Sequence, residues 1–304
     1  MSTGILVTGG AGFIGSNLVE DLLSSREEVT ILDNLDTGSM LNLEGLKGSL
    51  KVIKANCLDA SSLDLHPSAI YHLGIPSSSP MYKKNPFLVG EAINGAIAVF
   101  ELAKKARCRV VYASSSSLYN GNAPPHREEM PIQVTDYYTE ARLAIERIAE
   151  LYRRLFDIPS VGLRFFSVYG PKEKAKKQYA NMISQFLWEM QAGRTPVIYG
   201  DGNQTRDFIY VKDIVRALML AMRSDYHGIL NVGTGTAYSF NEVIDLISGQ
   251  LGTKIRPKYV DNPIKNYVAH TMADTSKAKN ILDFEAKYEL NDGIENLLQF
   301  YSRN

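Results

Sequence analysis

The chain has 304 residues, with 33 basic and 33 acidic side chains and a formal net charge of zero. That length supports one large α/β unit or two closely joined domains, and the balanced charge offers no basic excess for nucleic acid or an anionic membrane as main partner. No apolar run approaches the ~20 residues that span a bilayer, and two cysteines, Cys57 and Cys108, make neither a disulfide framework nor a metal-ligand spacing, so they read as reduced thiols of a cytoplasmic protein.

The first apolar run, ILV from Ile5, leads straight into a glycine-rich loop, so no secretory signal is expected and the N-terminus reads as part of the fold. GILVTG reads as a strand and NLVEDLLSS as a helix. VTILDNL, KVIKAN, SAIYHLG and RVVYASS are further strands, INGAIAVFELAKKA and residues 137–156 are helices, and SVGLRFF from Ser160 is a sixth strand. Strands alternating with helices predict a parallel sheet wound on both faces. After Tyr169-Gly170-Pro171 the texture changes. A charged KEKAKK stretch precedes a helix, QYANMISQFLWEMQAG, and then a strand-like TPVIYGDGNQTRDFIYVKD with a Gly-Asp-Gly turn. DIVRALMLAMR then reads as a helix on the sheet and GILNVG as another strand. The expected organisation is α/β: a Rossmann-type, doubly wound parallel sheet in residues 1–172, to which segments near 207–235 cross back, and a smaller α/β substrate-binding domain in residues 173–304.

TGGAGFIG, residues 8–15, follows a strand and opens a helix, the context a dinucleotide-binding loop requires. Gly9, Gly12 and Gly15 allow a tight turn and close approach of a pyrophosphate, and the helix amides from Phe13 and Ile14 onward bind its phosphates. Asp33 ends the next strand, 18 residues after Gly15, with Asn34 behind it. A carboxylate there accepts from both hydroxyls of an adenosine ribose and repels a 2′-phosphate, and no arginine follows immediately, so NAD is favoured over NADP. The plainer role for Asp33-Asn34 is to start a turn.

The GxxGxxG spacing, with TGGAGFIGSNL, LDNL, SSSSLY, FFSVYGP, GDGNQTRDFIYVKD and ADTSKA, resembles the extended short-chain dehydrogenases/reductases, the NAD-dependent epimerase/dehydratase family, over residues 4 to 300. The resemblance implies further cofactor contacts. Asn56 stands where the family usually has an aspartate facing adenine, and Cys57 follows it. Leu73 and Gly74 match the strand end that passes the cofactor, Asn94 matches an asparagine of the next helix, and Ser114 and Phe165 complete the set. A helix-surface amide is the plainer role for Asn94.

The same resemblance makes Tyr138 the catalytic tyrosine, with Arg142 where the family carries a lysine. Tyrosine is a weak base at its reference pKa of ~10, and a nearby cation favours its phenolate. A spacing of four puts both side chains on one helix face. In the family the lysine also hydrogen-bonds the nicotinamide ribose. Arginine keeps the charge but is planar, bulkier and always protonated. Three outcomes stay open: Arg142 does the lysine's work, it slows the enzyme, or it leaves a cofactor-binding protein without turnover.

In YASSSSLY the resemblance puts the family's hydroxyl partner on Ser115, with the neighbours Ser114, Ser116 and Ser117 as substitutes, since a register error of one is easy in a run of four. Ser116 and Ser117 also stand where 4,6-dehydratases of the family have Asp and Glu, and a decarboxylase would have Glu at 117. Elimination and decarboxylation are therefore not expected, and oxidation–reduction at C4 remains. On the substrate side the resemblance assigns Ser77, Ser115 and Ser167, the last in place of an asparagine. QYANMISQF resembles a uracil-covering segment and brings in Tyr179 and Asn181. Arg206 matches a diphosphate-binding arginine, its rival role being an ion pair with Asp207 or Asp201. Lys265 in PIKNYV is nearest to a second such arginine. His72 and the other four histidines have no ligand spacing and read as structural or surface groups.

The expected activity is NAD-dependent 4-epimerisation of a UDP-hexose, glucose/galactose first, without a metal. The alternatives are a UDP-N-acetylhexosamine or UDP-uronate 4-epimerase, a 4-keto-sugar reductase or dehydrogenase, and a non-catalytic NAD- or nucleotide-sugar-binding protein. The family pattern also implies a homodimer through the helices around residues 90–106 and 137–156, whose apolar stripes could instead only face the sheet.

Overall fold

The computed structural model describes residues 4–263 and 267–303, and no helix among them is long and apolar enough to cross a membrane. In chain order the first half runs β1 (Ile5–Thr8), α1 (Phe13–Ser24), β2 (Val29–Asp33), β3 (Leu50–Lys54), β4 (Ala69–His72), α2 (Ser79–Lys84), α3 (Leu88–Ala106), β5 (Arg109–Ser115), α4 (Tyr137–Phe156) and β6 (Ser160–Phe165). There follow β7 (Ser167–Tyr169), α5 (Met182–Gln191), β8 (Val197–Tyr199), β9 (Thr205–Arg206), β10 (Phe208–Tyr210), α6 (Val211–Arg223), β11 (Gly228–Val232), β12 (Tyr238–Ser239), α7 (Phe240–Leu251), β13 (Lys258–Val260), α8 (Ser276–Leu282) and α9 (Leu290–Arg303).

Seven strands form one parallel sheet in the order β11-β6-β5-β4-β1-β2-β3. This is the doubly wound, Rossmann-type sheet expected from the alternation of elements. The two-residue period of a strand sorts its side chains between two covered faces. Ile5 and Val7 share a core with Leu18 of α1 and Leu218 of α6, while Leu6 shares one with Ala96 and Val99 of α3 and Ile145 of α4. The chain runs from β1 to one edge through β2 and β3, then returns to β4 on the other side of β1. The order thus reverses between β1 and β4, where an open α/β sheet leaves a crevice at its carboxyl ends.

GILNVG enters the sheet as β11 beside β6. The other late elements surround a separate apolar cluster that includes Phe186 of α5, Val243 of α7 and Leu297 of α9. Three short pairs accompany them: β7 with β10 and β8 with β13 in parallel, and β9 with β12 antiparallel. One expected helix is shorter than its sequence pattern. α5 starts at Met182, not near Gln178, because Asn181 adopts an extended backbone and its Oδ1 accepts from the Ile183 N–H at 3.0 Å, capping the helix. Residues Lys174–Tyr179 form a 3₁₀ segment interrupted by Lys177 at φ +50°.

A buried polar network fastens α4 to the sheet. Arg164 on β6 donates Nε–H to Glu146 Oε1 at 2.9 Å and Nη2–H to Oε2 at 2.7 Å, with both side chains under a tenth exposed. Ser114 Oγ donates to the same carboxylate at 2.5 Å. Arg164 Nη1 donates to the Tyr119 hydroxyl, which donates to Asn231 Oδ1 on β11. Removing one partner of such a pair strands a charge in a low-dielectric interior. Glu146→Ala should therefore cost about 3–5 kcal/mol in urea unfolding, whereas Glu150→Ala, which breaks exposed pairs with Arg153 and Arg154 on the same helix, should cost no more than about 1 kcal/mol.

Candidate active site

A cavity of about 1010 Å³ lies at the carboxyl ends of the strands, at the reversal between β1 and β4. Its floor is the glycine loop. Gly9 has φ +69°, and a Cβ there would meet Gly74 Cα at 2.7 Å; a Cβ on Gly15 would meet the Gly9 carbonyl oxygen at 2.0 Å. Gly12 is the N-cap of α1, with no side-chain cap and no acidic residue in the first turn. The first-turn amides therefore remain donors at the positive end of the helix, an arrangement suited to a phosphate.

Asp33, at the end of β2, is buried, and its two oxygens accept the amides of Ala11 at 2.9 Å and Leu35 at 2.8 Å. Each oxygen retains acceptor capacity toward the cavity. Beyond it stand Asn34, Asn56 and Cys57. The Cys57 thiol donates to the Gly74 carbonyl at 3.2 Å, and burial pushes its pKa up to about 12, so it is a packing group and not a nucleophile.

α4 brings the chemistry to the other end. Asp136 caps it, accepting the Thr139 amide at 2.8 Å and, through its second oxygen, the Ser79 hydroxyl at the start of α2. Tyr138 therefore sits in a first turn that is tied down on both sides. Its ring is buried against Tyr82, edge-on at a centroid distance of 5.5 Å. One turn later the Arg142 guanidinium carbon lies 5.0 Å from the Tyr138 ring centroid. Arg142 is 4% exposed, and its two terminal nitrogens donate to two carbonyls, Ala113 at 2.9 Å and Pro76 at 3.0 Å. Its Nε–H has no partner among the described residues. Ser115 Oγ accepts the Ser117 amide at 3.1 Å, which caps the short turn Ser116–Tyr119 and leaves the hydroxyl hydrogen uncommitted. Ser114, by contrast, has its hydrogen committed to Glu146.

The cavity wall brings together Gly9, Gly12, Phe13, Ile14, Gly15, Asp33, Asn34, Asn56, Cys57, Leu73, Gly74, Ser77, Ser114, Ser115, Tyr138, Arg142, Phe165, Ser167, Tyr179 and Asn181. Two expected residues lie off it. Asn94 is exposed on α3, whose cavity face is Leu88, Glu91, Ala92 and Gly95, the stripe a 3.6-residue period generates. Arg206 donates to the carbonyls of Thr205, Val268 and Ala269 and packs between Phe240 and Tyr267. Neither an ion pair with Asp201 nor one with Asp207 forms; Asp207 instead accepts from Thr234, Gly235 and Ala273. Lys265 lies outside the described residues. Lys84, Glu91 and Lys176 line the cavity without having been singled out from sequence; for Glu91 the helical period was the available signal. No group of three or more His, Cys, Asp or Glu able to hold a metal occurs among the described residues.

A family model described as "NAD dependent epimerase/dehydratase family" matches residues 5–233. The UDP-glucose 4-epimerase of Mycolicibacterium smegmatis is 32% identical over 307 residues, covering 97% of this chain and 97% of that protein. UDP-glucuronic acid decarboxylase 1 of Arabidopsis thaliana is 30% identical over 307 residues, covering 97% of this chain and 68% of that one. Among solved structures, UDP-N-acetylglucosamine 4-epimerase from Methanobrevibacter ruminantium M1, in complex with UDP-N-acetylmuramic acid, matches with a TM-score of 0.93 at 30% identity, covering 99% of each chain.

His72 ends β4 beneath this site. Thr8 Oγ1 accepts the Gly74 amide at 3.1 Å and hydrogen-bonds His72 Nδ1 at 2.8 Å, while His72 Nε2 has no partner among the described residues. Burial, reinforced by the Arg142 charge, lowers the His72 pKa to about 3. An unfolded imidazole titrates near ~6.5, so on acidification the unfolded chain takes up this proton first. The contribution of His72 to stability is whole above about pH 6.5 and is lost as pH falls toward 3. Over that window it should add up to about 1.4 kcal/mol per pH unit to the slope of unfolding free energy, and His72→Gln should flatten that limb in urea titrations at stepped pH.

Proposed function

The chain belongs to the NAD-dependent epimerase/dehydratase family, and we propose that within it this protein inverts C4 of a UDP-hexose, with glucose/galactose as the first substrate pair. The observation that carries the reading is one continuous cavity that runs from the glycine loop and Asp33 to Tyr138, Ser115 and Ser167. Bound NAD would take hydride from C4 and return it to the opposite face of the sugar, so no net NADH accumulates. The glycine loop amides hold the cofactor phosphates and Asp33 its adenosine ribose. Tyr138 accepts the proton of the O4 hydroxyl as C4 is oxidised and gives it back as C4 is reduced. Ser115 donates its uncommitted hydrogen toward the same oxygen. Arg142 supplies the cation beside Tyr138 and lines the part of the cavity that would hold the nicotinamide ribose.

Ser116 and Ser117 support epimerisation over elimination. Both line the cavity, and neither supplies the acid and base that loss of water needs. The same absence of a carboxylate at position 117 argues against decarboxylation, although decarboxylases are among the similar proteins. The second substrate pair is the UDP-N-acetylhexosamines, favoured by the likeness to the Methanobrevibacter enzyme. Nucleotide contacts fall to Ser167, Tyr179 and Asn181 on the cavity wall, with Arg206 and Lys265 as reserve cations. We place the protein in the cytoplasm and as a homodimer. Exposed Ile97 on α3 and Leu151 and Leu155 on α4 support a paired-helix contact.

Incubation with UDP-galactose and catalytic NAD should yield UDP-glucose, and the reverse, without net NADH; net NADH would instead make the protein a dehydrogenase, and ligand binding without conversion of any UDP-hexose would make it a binding protein. Tyr138→Phe should lower kcat by ~10²–10⁴-fold with little change in UDP affinity. Arg142→Lys gives up one of the two carbonyl bonds but keeps a cation beside Tyr138, and should leave kcat within about tenfold of wild type. A hundredfold rise would identify Arg142 as a brake on the reaction.

A further inference from the structure

We propose that Glu91 on α3 recognises the adenine base of the dinucleotide, taking over the acceptor role that the family pattern gives to an acid at position 56. The inference rests on the NAD reading above. Past Asp33 and Asn34, the cavity is lined by Asn56 and Cys57 and by Leu88, Glu91 and Gly95 of α3, and the two segments touch to form one wall. The approach is close, since a Cβ on Gly95 would stand 3.2 Å from Cys57 Cβ. A base attached to a ribose at Asp33 would lie against this wall.

Adenine presents an exocyclic amino group with two N–H donors and needs an acceptor for them. Asn56 is poorly placed to be that acceptor. Its Oδ1 accepts the Leu58 amide at 3.0 Å as the cap of residues Cys57–Ser62, its own amide donates to Asp59 at 3.2 Å, and its Nδ2 donates to Glu91 Oε1 at 2.9 Å. Flipping the carboxamide would set its NH₂ against the Leu58 N–H and its oxygen against a carboxylate, so the orientation is fixed by both neighbours. The Cys57 thiol is committed to the Gly74 carbonyl. Glu91 keeps its second carboxylate oxygen without a partner among the described residues, on the cavity wall, while Asn56 steadies the first. A charged acceptor favours an amino group and disfavours a carbonyl at the same place on the ring.

The test compares NAD with nicotinamide hypoxanthine dinucleotide, in which a carbonyl oxygen replaces the adenine amino group, by calorimetric titration of each into the purified protein. Wild type should prefer NAD by about tenfold, equivalent to about 1.4 kcal/mol. Glu91→Gln can turn an N–H toward the carbonyl and should bring the two affinities within about twofold. The exchange Asn56→Asp with Glu91→Gln returns a carboxylate to this wall and should restore the preference. If Glu91→Gln keeps the wild-type ratio, or wild type shows no preference while binding NAD, the assignment of Glu91 is overturned. If wild type binds neither dinucleotide, it is the cofactor reading that fails.

Discussion

Two strand ends meet with no side chain between them, and the cavity is built on that contact. Gly9 after β1 and Gly74 after β4 stand so close that a Cβ on either would fall within 3 Å of the other's backbone. The contact lies where the strand order reverses, so it sets the depth of the crevice that every parallel sheet of this kind leaves at such a point. Thr8 reinforces it from below by bridging the Gly74 amide and the His72 ring. Neither bulk nor charge can be added there without lifting the glycine loop away from β4. The neutral, buried imidazole is one consequence, since a protonated ring beside Arg142 would place two like charges under the loop.

α4 shows how one helix serves both stability and chemistry. Tyr138, Arg142 and Glu146 recur every four residues and so share one face. The first reaches the cavity, the second ties the ends of β4 and β5 through the carbonyls of Pro76 and Ala113, and the third anchors the helix to β6 through Arg164. A lysine at 142 has one nitrogen and could not hold the carbonyls of β5 and of the loop after β4 with the same planar geometry. The arginine therefore stiffens the wall behind Tyr138 as well as charging it. Ser114 joins the same scaffold through Glu146, which separates it in function from Ser115 although the two are adjacent in sequence.

What the sequence makes legible follows from how local each constraint is. Each strand of the sheet, the glycine loop and Asp33 is encoded by a short local pattern, and the alternation of those patterns carries the fold class. The serine run is legible as a group, but only the capping bond from the Ser117 amide and the Glu146 contact tell its members apart. Asn94 illustrates the opposite case: its surroundings depend on the phase of α3 against the sheet, and a one-position difference in phase moves a side chain by 100°. Arg206 depends on contacts with residues 267–269, more than sixty positions away, which no local pattern records. The start of α5 was hidden because an apolar periodicity does not reveal that Asn181 caps the helix from outside.

The same distinction bears on the nucleotide-sugar end. The glycine loop offers main-chain amides to phosphate whatever the side chains nearby, so a phosphate site there tolerates substitution. At the far end of the cavity the start of α5 is partly committed: the Asn181 side chain takes the Ile183 amide, and Glu173 takes the Asn181 amide. Arg206 has its donors turned onto main-chain carbonyls, and Lys176 is held by the buried Glu173. A diphosphate arriving there has to compete with existing bonds, each worth about 1 kcal/mol net in a neutral pairing and more when the incoming group is charged. If the proposed substrate binds there, an anion that brings two phosphates at once would compete for those donors better than a monophosphate.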